Sequence, residues 1–121
     1  MRNPFRKGFE ISLNRVHDTV VIREGGEKLT LTVNGDAMRM VAGLTTAQRK
    51  LKEITADREP SEQEMKEASE YFAGVIFGKE QAEQLMHFYA DDPGSVINVC
   101  GKYFKDRLAD RIAKVQKKMK V

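Results

Sequence analysis

The stretch "TVVIREGGEKLTLTVNG", residues 19–35, predicts a β-hairpin. Two runs rich in β-branched residues flank Gly25-Gly26, and two adjacent glycines supply the positive φ angles that a tight two-residue turn requires. Centring the turn on the glycines pairs four apolar residues across the strands, Val20 with Leu31 and Ile22 with Leu29. All four side chains then lie on one face, which should pack on the rest of the molecule.

Upstream of the hairpin, "FEISLN" places Phe9, Ile11 and Leu13 in alternation with polar residues. That period of two is typical of a half-buried strand. Two interpretations remain open for residues 1–17: a third strand that completes a meander, or a loose arm.

A helical period of three to four replaces the strand period after Gly35. Asp36 is a suitable N-cap, and "DREP" ends the helix because proline disfavours helical geometry in the residue before it. Gly43 inside the helix indicates a close packing contact. The predicted buried face consists of Ala37, Met40 or Val41, Leu44, Gln48, Leu51 and Thr55.

A second helix begins at "SEQE", where Ser61 and Glu64 form a capping box. Gly78 is placed to end this helix in a left-handed cap, and a short helix, "KEQAEQLMHFY", follows. The predicted buried face is Met65, Ala68, Phe72, Val75 and Ile76. Phe77 lies off this face, so it either packs on the short helix or is an exposed contact for a partner.

The last helix is the longest. Asp92 is a suitable N-cap, and Pro93 suits the first helical position, where no amide hydrogen is needed. At 1.5 Å per residue the helix should span roughly 40 Å, so its basic end is expected to project or fray. Its predicted stripe is Ile97, Cys100, Phe104, Leu108, Ile112, Val115 and Met119.

These elements predict an α+β fold in one domain, residues 1–121. Its β segment, residues 1–34, is a hairpin or a three-stranded meander, and residues 35–121 form about four helices, the last long and basic. The chain length is typical of one domain with a modest core.

The stretch "HFYADDPGSVINVCGKYF", residues 87–104, contains the residue types of metal sites and thiol nucleophiles. The chain has one Cys and two His, too few for a zinc site built from close pairs of ligands. Cys100 falls in line with the apolar stripe of the last helix, which favours a core position over catalysis. We therefore expect no catalytic residues, no cofactor and no metal.

A single cysteine cannot form an internal disulfide, which favours a reducing cytoplasm. No apolar run of signal-peptide type follows the basic start, and the longest apolar run, "YFAGVIF", is too short to cross a bilayer. We expect a cytoplasmic protein with no membrane partner.

The formal net charge of +3 is unevenly distributed. Residues 61–92 carry 2 basic and 8 acidic side chains, and residues 93–121 carry 8 basic and 2 acidic ones. Either these helices compensate one another within the fold, or one charged surface meets a partner. No known nucleic-acid-binding motif organises the basic helix, so binding to nucleic acid is the less favoured interpretation.

The order of these elements resembles the small tail assembly chaperones of long-tailed phages and prophages of Gram-positive bacteria. The resemblance covers residues 28–119 and is carried mostly by residues 65–110. It rests on the helix–glycine–helix junction "FAGVIFGKEQAEQLM" and on the "INVCGKYFKD" start of the last helix.

The resemblance implies a non-enzymatic protein that coats the tape measure protein until tail tube subunits polymerise around it. It also implies two partners, the tape measure protein and the tail tube protein. The expected location is the cytoplasm of the bacterial host, with absence from the mature virion. Such chaperones are often made in two lengths by ribosomal frameshifting. A homo-oligomer is compatible with this role, and the alternative function is a small basic DNA-associated phage or regulatory protein.

Five side chains are the candidate partner-binding residues, chosen for exposed aromatic character or for positive charge on the last helix. They are Phe77, Phe88, Arg107, Arg111 and Lys114.

Overall fold

The computed structural model describes residues 15–119. Within that range a two-stranded antiparallel hairpin, β1 (Arg15–Glu24) and β2 (Glu27–Asp36), precedes four helices. These are α1 (Ala37–Thr55), α2 (Glu62–Phe77), α3 (Lys79–Phe88) and a long last helix. The last helix consists of α4 (Pro93–Tyr103), a π-helical segment (Phe104–Leu108) and α5 (Ala109–Met119). The α+β architecture is confirmed, whereas the predicted strand at residues 9–13 lies outside the described residues.

The hairpin has the predicted register. Val20 pairs with Leu31 and Ile22 with Leu29, while Gly25 and Gly26 have φ of 55° and 85°. Two consecutive positive φ angles match the right-handed twist of the strands, which is why a Gly-Gly turn fixes this register. On the inward face Val20, Ile22 and Leu31 are buried as expected, and Leu29 is half-buried. Each strand is ten residues long, extending beyond the β-branched runs.

Helix α1 begins as predicted, because the carboxylate of Asp36 accepts a hydrogen bond from the amide of Arg39 at 2.9 Å. The close contact at Gly43 is also present: a Cβ there would lie 2.8 Å from a methyl of Val75 on α2. The predicted buried face was only partly right. Ala37, Met40 and Ala47 are buried, whereas Gln48 and Thr55 are exposed.

Helix α2 begins with the predicted capping box, in which both the Ser61 and the Glu64 side chains accept from backbone amides. Its buried residues are Ala68, Ser69, Ala73, Ile76 and Phe77. The expectation that Phe77 lies off the buried face was wrong, because α2 packs on three helices, α1, α3 and α4. A helix that packs on three others buries more than one stripe.

Gly78 separates α2 from α3 with φ 89° and ψ 162°, an extended backbone of positive φ and not the left-handed helical cap predicted. A Cβ at this position would meet nothing within 4 Å, so glycine is required by the backbone angle alone. Pro93 is in the first turn of α4 as predicted. The Asp92 carboxylate, however, makes no bond to a helix amide and accepts one from the Ser95 hydroxyl at 2.7 Å.

The long last helix is confirmed, but it is interrupted by one π-helical turn in which the amide of Ala109 donates to the carbonyl of Phe104, five residues earlier. Cys100, Leu108 and Ile112 are buried as predicted. Tyr103 is also buried, while Phe104 is half-buried. The predicted stripe is therefore displaced by one residue at the π turn.

Candidate functional site

An apolar groove lies between α1 and the last helix, with α2 at its base, and encloses about 250 Å³. One wall belongs to α1, and the other belongs to the π segment and α5. The lining residues are Val41, Leu44, Thr45, Ala47, Gln48 and Leu51 on α1, Phe72 on α2, and Phe104, Ala109, Ile112, Ala113 and Gln116 opposite.

The α1 wall runs from Val41 to Leu51, which is about 15 Å of helix, or nearly three turns. Ala47 is buried, and the other apolar side chains of this wall are half-buried. Two of these, Val41 and Leu44, also pack against the core. Polar side chains stand at the mouth: Thr45 is exposed on α1, as is Gln48. Apolar walls with a few polar groups at the rim are typical of a binding cleft.

The groove explains why the predicted face of α1 was only partly buried. Gly43 packs closely on Val75 of α2, and Met40 lies in the core. The neighbouring row that includes Leu44 and Ala47 lines the groove instead. The broad apolar stripe on α1 was the sequence signal for the groove. The sequence does not show which half of that stripe another helix covers.

A second arrangement joins the start of β1 to the last helix. The Asp18 side chain is only 5% exposed, and its carboxylate accepts from the Tyr103 hydroxyl at 2.9 Å and from Arg107 at 2.6 Å. Arg111 lies 3.4 Å from the same carboxylate and donates to the carbonyl of His17 at 3.1 Å. The Asp18 carboxylate thus contacts three side chains on successive turns of the last helix.

The electrostatics of this arrangement favour a neutral phenol. Burial, together with the hydrogen bond to Asp18 and its negative charge, raises the pKa of Tyr103 above its usual range. The positive charges of Arg111 and Arg107 act in the opposite direction and do not prevail. Tyr103 therefore acts as a hydrogen-bond donor that fixes the last helix on the hairpin.

Cys100 has the core position predicted for it. Its side chain is fully buried, and burial raises the pKa of the thiol to about 12. A nucleophilic cysteine needs the opposite shift, toward the thiolate. Among residues 15–119, no three His, Cys, Asp or Glu side chains form a group that could hold a metal ion.

The candidate partner-binding residues lie in different environments. Phe77 is 5% exposed and packs on the Tyr103 ring at a centroid distance of 5.8 Å, so its side chain belongs to the core and is not an exposed contact. Phe88 is half-buried and stacks edge-to-face with Tyr89 at 5.1 Å. Neither ring lines the groove.

The three basic candidates all pair with carboxylates of the same chain. The Arg107 and Arg111 side chains remain 47% and 42% exposed while they contact Asp18. Lys114 lies 3.2 Å from Asp110, one turn earlier on α5. Part of the positive charge of the last helix is thus compensated within the fold.

Sequence reasoning missed the role of Gln81. Its side-chain amide donates to the Thr32 carbonyl at 2.6 Å and accepts from the Thr32 amide at 2.8 Å. It also donates to the carbonyl of Phe77 at 2.7 Å. One glutamine side chain thereby satisfies both backbone groups of a residue on the open edge of β2, as a neighbouring strand would.

Comparison with protein-family models, with curated proteins and with solved structures gives no match to this chain. In the part of the chain that the structure describes, no helix has both the length and the apolar composition needed to cross a membrane.

Proposed function

We propose that this protein is a non-enzymatic phage or prophage tail assembly chaperone that binds the tape measure protein, tail tube subunits or both. The resemblance of residues 28–119 to that class of chaperone supports the proposal. The observation that carries it is the open apolar groove between α1 and α5.

The groove suits one amphipathic helix of a client. Such a helix presents apolar side chains at positions i, i+3 or i+4, and i+7, which span about 11 Å. The α1 wall from Val41 to Leu51 is long enough to receive three such anchors. Many copies of the chaperone along one long client would then give avidity without tight binding at each site.

The proposal is tested by co-expression with a tape measure fragment from the same genome. The fragment should stay soluble and co-purify with the chaperone. A fragment that is insoluble with or without this protein would refute the chaperone function. Steep, salt-dependent retardation of duplex DNA would instead favour the DNA-associated alternative.

A matched pair of variants tests the groove itself. Thr45→Arg puts a guanidinium group at the mouth of the groove, and Thr30→Arg makes the same change on the exposed face of β2. Thr45→Arg should weaken binding of the fragment at least about tenfold, or ~1.4 kcal/mol, and Thr30→Arg should not. Equal binding by both variants would show that the client binds elsewhere.

A further inference from the structure

The α1 side of the groove mouth carries positive charge. Thr45 and Gln48 stand at the mouth, and both are exposed. Arg49 follows Thr45 by four residues and Lys52 follows Gln48 by four, so each lies one turn further along the same side of the helix. Both basic side chains are exposed, and within the part of the chain that the structure describes neither forms an ion pair. A bound helix would therefore meet two uncompensated cations on this side.

The other charges near the C-terminal end of α1 lie away from the mouth. Lys50 and Glu53 line a shallow surface against α2, together with Glu64 and Glu67. The Nζ of Lys50 also lies 5.3 Å from the centroid of the Tyr71 ring on α2. Glu53 is the one acidic residue in the sequence of α1. Its place on the α2 side leaves only positive charge beside the groove on this helix.

The opposite wall does not offset this charge. Asp110 of α5 lies 3.2 Å from Lys114, so its charge is compensated on its own helix. Asp106 is exposed on the π segment, and Lys117 is exposed one turn after Ala113, which lines the groove. Charges of both signs thus lie along the last helix, and the α1 side determines which sign a bound helix should carry.

We propose that the groove selects a client helix that carries glutamate or aspartate beside its apolar anchors, on the side that faces Arg49 and Lys52. The inference rests on the groove-binding function proposed above and adds the charge of the client. Complementary charges at a rim contribute to specificity and to the association rate more than to affinity. The apolar anchors supply the affinity, and the flanking carboxylates distinguish one amphipathic helix from another.

A second copy of the described chain does not supply such a helix. The exposed large hydrophobic side chains among residues 15–119 are Val21, Met38 and Tyr71. They lie on three different elements, β1, α1 and α2. No described helix therefore presents a row of three exposed apolar anchors, so the proposed occupant is a different protein.

The test measures binding of two labelled synthetic helical peptides to the full-length protein by fluorescence anisotropy. Both peptides have leucines at positions i, i+4 and i+7, and the residues on either side of the leucines are glutamates in one peptide and lysines in the other. In about 0.1 M salt the glutamate peptide should bind at least about threefold more tightly, because each exposed ion pair contributes a modest factor and the lysine peptide is repelled. The difference should disappear in about 1 M salt, where the charges are screened.

Charge reversal on α1 tests whether the rim determines this preference. The double variant Arg49→Glu with Lys52→Glu should bind the lysine peptide more tightly than the glutamate peptide. The matched control is Arg39→Glu with Lys50→Glu, which changes the net charge equally on the same helix. Both control residues are exposed, and they lie about three turns apart on a face of α1 directed away from the groove. The control should keep the preference for glutamate, and the same reversal in both double variants would overturn the proposal.

The remaining outcomes separate this inference from the groove-binding function. Equal affinity for the two peptides, with both weakened by Thr45→Arg, would overturn the charge preference and leave the groove as the binding site. No binding of either peptide would count against the groove-binding function as well. Equal binding of a glutamate peptide with alanines in place of leucines would overturn the inference, since the basic side chains would then attract any polyanion. A dimer of the protein that Thr45→Arg dissociates would also overturn it, because the occupant would be a second copy.

Discussion

The Asp18 arrangement allows a quantitative prediction, because one nearly buried carboxylate connects the hairpin to the last helix. Asp18→Ala removes the acceptor for Tyr103, Arg107 and Arg111 together. The substituted residue lies on β1 and its partners lie more than eighty positions later in the chain. The loss should therefore appear in global unfolding and not only in local fraying.

The expected magnitude follows from the exposure of each partner. Tyr103 is 5% exposed, and a hydrogen bond from a buried hydroxyl to a charged group contributes ~1.5–3 kcal/mol. The arginines are almost half exposed, so solvent screening reduces each ion pair to ~0.2–1 kcal/mol. Asp18→Ala should therefore lower the free energy of unfolding by about 3 kcal/mol.

Urea denaturation followed by circular dichroism measures this change. A double-mutant cycle with Tyr103→Phe isolates the hydroxyl–carboxylate pair and should give a coupling energy of ~1–2 kcal/mol. Asp110→Ala is the matched control, because it removes an exposed carboxylate that pairs with Lys114 one turn away. That control should cost no more than ~0.5 kcal/mol.

Added salt separates the two kinds of contact. The arginine contribution should shrink in about 1 M salt, where screening is strong, and the Tyr103 coupling should persist. A loss for Asp18→Ala no larger than that of the control, or a coupling energy near zero, would refute the reasoning. It would mean that water replaces these bonds at no cost.

Three further predictions concern packing, the edge of β2 and the buried thiol. In chemical denaturation, Gly43→Ala should destabilise the fold by ~1–3 kcal/mol, because the added methyl group overpacks against α2. The control Gly74→Ala has open space at its Cβ and should be neutral or stabilising by up to ~1 kcal/mol. Gln81→Ala should lower the free energy of unfolding by ~1–2 kcal/mol in the same assay. Gln81→Glu should lower it at least as much, because a carboxylate cannot donate to the two carbonyls that the amide contacts. Because burial raises the pKa of Cys100 to about 12, the unfolded state releases its thiol proton first as pH rises. The free energy of unfolding should therefore fall by ~1.4 kcal/mol per pH unit between about pH 9 and 12, relative to that of Cys100→Ala measured under the same conditions. The same pH dependence for both proteins would contradict this prediction.

Local features of this fold could be predicted from the sequence because their determinants are neighbours in the chain. The strand register followed from two glycines and a period of two. The caps at Asp36 and Ser61 followed from hydrogen bonds that span three residues. In each case the physical interaction lies within the stretch that predicts it.

The candidate site could not be predicted in the same way because its determinants are distant in sequence. Gln81 contacts Thr32 across 49 positions, and Arg107 contacts Asp18 across 89. Neither pair has a local sequence pattern that distinguishes it from other polar residues of the chain. For the same reason, Phe77 could be assigned to the core only once the helices that pack on α2 were known.

The π turn connects the buried stripe of the last helix to both features of the candidate site. Cys100, Phe104, Leu108 and Ile112 follow one another at intervals of four, and each interval advances a regular α-helix about 40° beyond a full turn. Three intervals would carry Ile112 about 120° away from Cys100, so one stripe could not stay buried along a regular helix. The wider π turn at residues 104–108 absorbs this drift, and Cys100, Leu108 and Ile112 are all buried.

The same turn directs Tyr103 inward to Asp18 and leaves the Phe104 ring on the groove wall. In this helix a π turn accommodates the persistent spacing of four, and both features form beside that turn.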